Sequence, residues 1–254
     1  MSGAHAEVLY VPRSTPAHHL PPQAKIMALA AFTVLVVVTP RTEVLAFGSY
    51  AVILLACMGL ARISPIRILK RSVVELPFLL LAVAFPFLMS GPTVELWGLA
   101  VSEAGLWAGF NLAAKATLGV WAALLFSATT PIADILAGLS RLKLPDLMVE
   151  IAAFAVRYGH LTWAEVTAQN RARLARGYNP RFLWQAAAIA RGLGTIFVRS
   201  FERGERVWMA MTARGYTGRL PLDVRPRPCG VSEWAVASTP VVAAAAVLAA
   251  VLVW

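Results

Sequence analysis

Long apolar runs constrain this chain more than any other feature of its sequence. Aliphatic and aromatic residues dominate segments 25–39, 44–61, 73–89, 105–130 and 234–254. A bilayer core about 30 Å thick is crossed by about 20 residues of helix, and helices satisfy their backbone polar groups internally. Hydrophobic residues make up 59% of the chain, against about 45–50% in soluble domains. The pattern predicts an all-α, polytopic membrane protein with about five transmembrane helices.

Positive charge is concentrated in one part of the chain. The net charge is +10, and residues 141–227 carry 15 of the 23 Lys and Arg but 6 of the 13 Asp and Glu. Hydrophobic runs enclose this segment, which argues against nucleic acid as a partner. By the positive-inside rule it faces the cytoplasm beside anionic lipid. We therefore expect a lead-in and four spans over 1–130, a cytoplasmic unit of coupling helices over 131–230, and a last span over 231–254.

The sequence also predicts the structure of three connecting segments. Prolines in residues 1–23 predict an irregular lead-in, and the basic residues 62–71 are predicted to form a cytoplasmic loop. Residues 182–198 are long enough to span, but Arg191 near their middle would cost about 2.5–3.5 kcal/mol on insertion scales. We expect instead an amphipathic helix on the membrane surface or within the basic unit. A separate helix over 201–216 would follow it.

One short sequence occurs twice in the basic unit. Ala-Arg-Gly-Tyr stands at 175–178 and again 38 residues later at 213–216, with Arg181 and Arg219 at the same offset behind each copy. Each copy follows a run of good helix formers, and Gly suits the left-handed residue that closes a helix. One copy alone would be an ordinary helix end with a dipole-matched arginine, whereas two copies indicate a repeated unit. The candidate site residues are Ala175, Arg176, Gly177, Ala213, Arg214 and Gly215.

Other functional residues are few. The chain has no phosphate-binding GxxxxGK[ST], no HExxH and no GxSxG sequence, so no catalysis and no cofactor is expected. His18 is one of three scattered histidines in the lead-in, and His160 is interpreted as a hydrogen-bonded structural histidine. The tyrosines of the repeat are interpreted as packing residues. Asn111 and Lys115 fall inside the fourth span, where a lysine either lines a transport path or extends toward the interface.

The two Ala-Arg-Gly helix ends, on a basic unit within a five-span protein, resemble the transmembrane (T) component of energy-coupling-factor (ECF) transporters. The stretch 199–218 resembles the cobalt-type CbiQ branch most, and the resemblance is strongest over 171–219. That family often begins its first span with an Asp-Pro-Arg-x-Lys-like sequence. Here only Pro22 and Lys25 match it.

The resemblance implies a mechanism in which other chains hydrolyse ATP. Two ATPase subunits would dimerise beneath the membrane, and each would receive one helix tip, so that Arg176 and Arg214 meet acidic groups. The membrane spans would pass the resulting motion to a separate substrate-binding membrane subunit. In cobalt systems that subunit binds the metal, so no metal ligand is assigned to this chain.

Location and alternatives follow from the same resemblance. The family implies a bacterial inner-membrane protein, and the number of spans places the N-terminus and the coupling unit in the cytoplasm. A vitamin-type T component is one alternative. A stand-alone secondary transporter is another, and it would require polar groups converging at the middle of the membrane. A membrane-embedded enzyme or assembly factor would require a catalytic constellation.

Overall fold

The computed structural model describes residues 10–90, 92–96, 99–178, 187–216 and 230–253. These residues are almost entirely helical, which confirms the predicted all-α class. The helices are α1 Pro16–His19, α2 Pro22–Val38, α3 Val44–Leu60, α4 Pro65–Arg71, α5 Leu76–Leu88, α6 Glu103–Thr129, α7 Ile132–Arg141, α8 Asp146–Ala175, α9 Ala187–Ala213 and α10 Val231–Val253. Two short strands, β1 Thr93–Leu96 and β2 Leu99–Ser102, form an antiparallel hairpin between α5 and α6.

All five apolar runs lie in helices, of which three reach membrane length and two are shorter. Three segments of the described chain are long and apolar enough to cross a bilayer: α6, α10 and the continuous stretch Pro65–Leu88. That stretch joins α4 to α5 through a 3-10 turn over Ser72–Glu75. The apolar helices α2 and α3 have 17 residues each, which corresponds to about 25 Å at 1.5 Å per residue.

Two predicted irregular segments contain helix. The lead-in includes α1, which begins at Pro16, and α2 begins at Pro22. The predicted loop over 62–71 is wrong over Pro65–Arg71, which form α4. Each of these helices has proline at its first position, where the missing N–H would have had no intrahelical acceptor. The prolines therefore begin helices here instead of preventing them.

The prediction of two helices around residue 200 is also wrong. Helix α9 is continuous from Ala187 to Ala213, and residues 182–186 of the predicted amphipathic helix lie outside the described residues. Gly192 and Gly194 reduce helix stability by only about 1 kcal/mol each relative to alanine. Contacts with α8 offset this cost, since Arg199 and Arg203 of α9 both bind Glu165 of α8.

Contacts divide the described chain into two units. The membrane unit comprises residues 10–138 and 230–253, and the α8–α9 unit comprises residues 139–178 and 187–216. In the membrane unit, α2, α3, α6 and α10 surround a core centred on Tyr50. Its hydroxyl lies 3.0 Å from Thr39 Oγ1, so the buried polar atom is paired.

Two lysines join α2 to α6 at opposite ends. Lys25 Nζ of α2 donates to Thr129 O of α6 at 3.1 Å, and Lys115 Nζ of α6 donates to Val37 O of α2 at 2.7 Å. Both carbonyls belong to the last turn of a helix, where no backbone amide reaches them and the helix dipole is negative. Each helix therefore supplies a cation to the C-terminus of the other.

Helices α5 and α6 approach closely at two glycines. A Cβ on Gly109 would overlap the carbonyl oxygen of Ala82, and one on Gly105 would lie 2.7 Å from Pro86 Cα. Because Pro86 has no N–H, the Ala82 oxygen lacks its usual helical donor four residues later. Gly109 has no side chain to hold the helices apart, so its backbone lies in contact with this free oxygen.

Candidate functional site

The first Ala-Arg-Gly copy ends α8. The amide of Gly177 donates to Leu174 O at 2.9 Å and the amide of Tyr178 donates to Arg173 O at 3.1 Å. Gly177 has φ +75°, the left-handed conformation that glycine adopts without steric cost. This double hydrogen-bond pattern is the Schellman motif, which satisfies carbonyls at the end of a helix.

The second copy ends α9 with the same geometry. The amide of Gly215 donates to Thr212 O and that of Tyr216 donates to Met211 O, both at 3.0 Å, and Gly215 has φ +82°. Both copies therefore close a helix, as the repeat predicts. We call residues 175–177 and 213–215 the two tips.

Each tip carries an arginine side chain that binds no other described residue. Arg176 and Arg214 are exposed, as are the alanine and glycine beside each. Neither arginine side chain forms a hydrogen bond or ion pair with a described residue. The trailing arginines of the repeat, Arg181 and Arg219, lie outside the described residues. Each tip thus carries an exposed positive charge.

The tips lie at opposite ends of an antiparallel helix pair. Tyr216 contacts Glu150, and Arg199 contacts Glu165, so the two helices run past each other in a constant register. In that register Arg214 lies beside about residue 152 of α8, roughly 24 residues before Arg176. At 1.5 Å per residue the two tips are about 36 Å apart.

An ionic cluster holds the middle of the pair. Glu165 of α8 accepts hydrogen bonds from Arg199 at 3.0 Å and from Arg203 at 3.3 Å. The hydrogen bond from Arg199, with a further one from Arg203, holds the pKa of Glu165 below its ordinary value. Near one end, a Cβ added to Gly192 would lie 3.1 Å from Gln169 Oε1, so the glycine permits close approach there.

Tyr216 has a role that sequence reasoning missed. Its hydroxyl donates to Glu150 Oε2 at 2.8 Å, which ties the tip of α9 to the first turns of α8. The hydrogen bond to this carboxylate raises the pKa of Tyr216, because ionisation would place two negative groups together. The partners are 66 residues apart, so no local pattern in the sequence indicates the contact.

The two histidines His18 and His160 differ in their contacts. His18 Nε2 donates to Val11 O at 3.1 Å, and its Nδ1 lies 2.6 Å from Thr15 Oγ1. Burial, with Lys25 nearby, lowers the pKa of His18. His160 is exposed on α8 and has no hydrogen bond with a described residue, so its interpretation as a hydrogen-bonded structural residue is wrong within that part of the chain.

Lys115 and Asn111 lie together on α6 at the end of α2. The Lys115 ammonium is bound to Val37 O, so its partner is a backbone carbonyl and not an acid. Asn111 Oδ1 is buried and has no hydrogen-bond partner among the described residues. The two residues are four apart and therefore share one helix face.

Known proteins are similar to this sequence over more than half of its length. The profile of the CbiQ family, described as cobalt transport protein, matches residues 13–224. The energy-coupling factor transporter transmembrane protein EcfT of Bacillus selenitireducens is 29% identical over 225 residues, which cover 82% of each chain. The cobalt transport protein CbiQ of Rhodobacter capsulatus is 27% identical over 157 residues, which cover 61% of this chain and 62% of that one.

A third relative is a longer protein. The putative fused cobalt transport protein CbiMQ of Methanocorpusculum labreanum is 22% identical over 139 residues, which cover 55% of this chain and 21% of the relative. The family profile extends across both tips and all but the last of the apolar helices. This chain therefore belongs to the CbiQ family and is a multi-pass membrane protein, the transmembrane component of an ECF-type transporter.

Proposed function

We propose that this chain couples ATP hydrolysis by two partner ATPase subunits to a separate substrate-binding membrane subunit. The observation that carries the proposal is the pair of identical, exposed arginine tips at the two ends of α8 and α9. The tips would dock into the ATPases through Ala175, Arg176 and Gly177 at one end. Ala213, Arg214 and Gly215 would do so at the other.

The chemistry of the tips suits acidic grooves. A guanidinium stays charged at physiological pH and binds a carboxylate through two parallel hydrogen bonds. The Schellman geometry fixes the backbone that carries each arginine, so on docking only the arginine side chain has to become ordered. A separation of about 36 Å favours two receiving subunits over one shared groove. Closure of an ATPase dimer would then displace both ends of the helix pair.

The substrate we propose is cobalt or another divalent cation. The family description and two of the relatives carry cobalt in their names, and one of these two is named as a fused cobalt transport protein. The metal would bind to the partner membrane subunit, and this chain would hydrolyse no ATP. A vitamin-type T component remains the second candidate, since the relative named EcfT carries no substrate in its name.

The location follows from the same proposal. We place the chain in the bacterial inner membrane, with residues 131–230 as the cytoplasmic coupling unit between the four spans of 1–130 and the last span of 231–254. The basic residues of the coupling unit would then face the cytoplasm beside anionic lipid, as the positive-inside rule requires.

Co-purification with the candidate ATPase tests the coupling role. The variants are Arg176→Ala, Arg214→Ala and the double variant, and Arg157→Ala is the control because Arg157 is exposed in the middle of α8. Loss of a charge-assisted contact worth about 1.5–3 kcal/mol should weaken ATPase binding roughly ten- to hundredfold per tip. The control should bind as the wild type does.

Uptake measured in the same cells separates binding from coupling. We expect the double variant to lose the ATPase, or to retain it while hydrolysis continues without metal uptake. The proposal fails if the double variant binds the ATPase and imports metal at the wild-type rate. Uptake that persists without any ATPase would instead favour the stand-alone secondary transporter.

A further inference from the structure

A groove in the membrane unit contains polar groups that the coupling role does not use. It runs along α6 beside α5 and has a volume of about 630 Å³. Three polar residues line it, Arg41 from the turn after α2 and Asn111 and Lys115 from α6. Its remaining lining is apolar and includes Phe78 of α5.

The polar groups of the groove select an anion. Arg41 is exposed and forms no hydrogen bond or ion pair with a described residue. Lys115 gives one N–H to Val37 O, which leaves two donors on its ammonium group. No acidic side chain is among the described residues that line the groove. Two positive charges therefore face a space where this part of the chain supplies no counter-charge.

The apolar lining selects a ligand with a hydrocarbon portion. Phe78 is 54% exposed, so the groove is open to whatever surrounds the membrane unit. At Gly119 an added Cβ would meet no atom within 4 Å, which shows free space next to the backbone of α6. The lining residues of α6 extend from Ala108 to Val120, a rise of about 18 Å. A lipid acyl chain can lie along such a surface.

The length of α2 places Arg41 at a depth where lipid phosphate is needed. Helices α2 and α3 have 17 residues each, so they are about 5 Å shorter than a typical hydrocarbon core. The turn between them carries Arg41, and the bilayer must thin locally or bring polar groups down to meet it. An anionic headgroup bound there would place polar groups at the depth of the short turn and would pair the charge of Arg41.

We propose that this groove binds an anionic phospholipid. Its phosphate contacts Arg41 and Lys115, and an acyl chain lies along the open backbone at Gly119. The site is separate from the two tips, and lipid binding does not depend on ATP hydrolysis. It would fix a lipid against the pair of α5 and α6 and stabilise the short turn after α2.

Native mass spectrometry of the full-length chain in detergent tests the proposal, with phosphatidylglycerol and phosphatidylcholine as probes. Arg41→Ala removes a cation from an exposed turn, and Gly119→Leu places an aliphatic side chain in the groove at a position where its Cβ meets nothing within 4 Å. The matched controls are Arg67→Ala, on the exposed side of α4, and Gly48→Leu, at an open position of α3. Lys115 is left unchanged because it also binds the end of α2.

We expect the wild type to retain phosphatidylglycerol over phosphatidylcholine. Arg41→Ala should weaken phosphatidylglycerol binding about tenfold or more, because it removes a charged contact. Gly119→Leu should also weaken binding, because its side chain occupies the place of the acyl chain. Both controls should stay within about twofold of the wild type. Equal retention of the two lipids by the wild type, or unchanged binding by both variants, overturns the proposal. If both variants bind lipid normally but lose a co-purifying membrane subunit, the groove is a protein interface and the lipid assignment is wrong.

Discussion

The contact of Gly109 with α5 can be tested by adding one methyl group. In Gly109→Ala the new Cβ would overlap the carbonyl oxygen of Ala82, which belongs to the backbone and cannot rotate away. Helix α5 would have to move outward along its contact with α6. In Gly119→Ala, on the same helix, the new methyl group meets nothing within 4 Å. The two substitutions are chemically identical and differ only in their surroundings.

The expected difference can be estimated from two terms. Overpacking a close contact costs about 1–3 kcal/mol, and alanine in a helix is about 0.8–1.0 kcal/mol more favourable than glycine. Gly119→Ala has only the favourable term, whereas Gly109→Ala has both. Since the helix term is common to the two variants, their unfolding free energies should differ by about 1–3 kcal/mol. For a chain of this size that corresponds to roughly 2–12 °C in thermal midpoint.

Thermal unfolding in detergent, followed by tryptophan fluorescence, measures this difference. We expect a higher midpoint for Gly119→Ala than for either the wild type or Gly109→Ala. Equal midpoints for the two variants would refute the argument, because they would mean that α5 and α6 are not in backbone contact at Gly109. A lower midpoint for Gly119→Ala than for Gly109→Ala would refute it more strongly.

Three further predictions concern ionisable groups outside the spans. Glu165→Gln should lower the thermal midpoint at neutral pH more than Glu202→Gln, whose carboxylate is 3.9 Å from its arginine partner on the surface; equal effects would contradict the role of the cluster. Because the pKa of Glu165 is lowered, its contribution is present above about pH 4.3 and is lost as pH falls through the lowered pKa. Tyr216→Phe should speed hydrogen exchange at the α9 tip, and unchanged exchange would exclude an anchoring role. In the wild type the raised pKa of Tyr216 means that its contribution is present below about pH 10 and is lost as pH rises through the raised pKa. Because the pKa of His18 is lowered, its stabilisation of the folded lead-in is present above about pH 6.5 and is lost as pH falls through the lowered pKa. Limited proteolysis should therefore cleave the lead-in faster at pH 5 than at pH 7.5. His18→Gln should remove this difference.

The helices and the tips could be predicted because local rules decide them. An apolar run of membrane length has few alternatives to a helix, since lipid offers no partner for free backbone groups. The tips follow from one residue each, because Gly177 and Gly215 occupy left-handed positions that other residues rarely adopt. Proline was the least informative signal, because Pro16 and Pro65 begin helices where irregular chain was expected.

The contacts that hold the helices together could not be predicted. Lys115 binds a carbonyl 78 residues away, and Tyr216 binds a carboxylate 66 residues away. Helix α9 also continues across Gly192 and Gly194, although their low helix propensity favours a break there. Each of these features depends on which helices become neighbours, and that information is not local.

The exchange of lysines between α2 and α6 restricts how the membrane unit can move. Sliding one helix along the other by a turn, about 5.4 Å, would draw Lys25 away from Thr129 O and Lys115 away from Val37 O at the same time. Both helix ends would then lose the cation that compensates their carbonyls. We therefore expect α2 and α6 to move together as one rigid body. Bending within the membrane unit is expected instead in α5 and α10, where Pro86 and Pro240 each remove a backbone hydrogen bond.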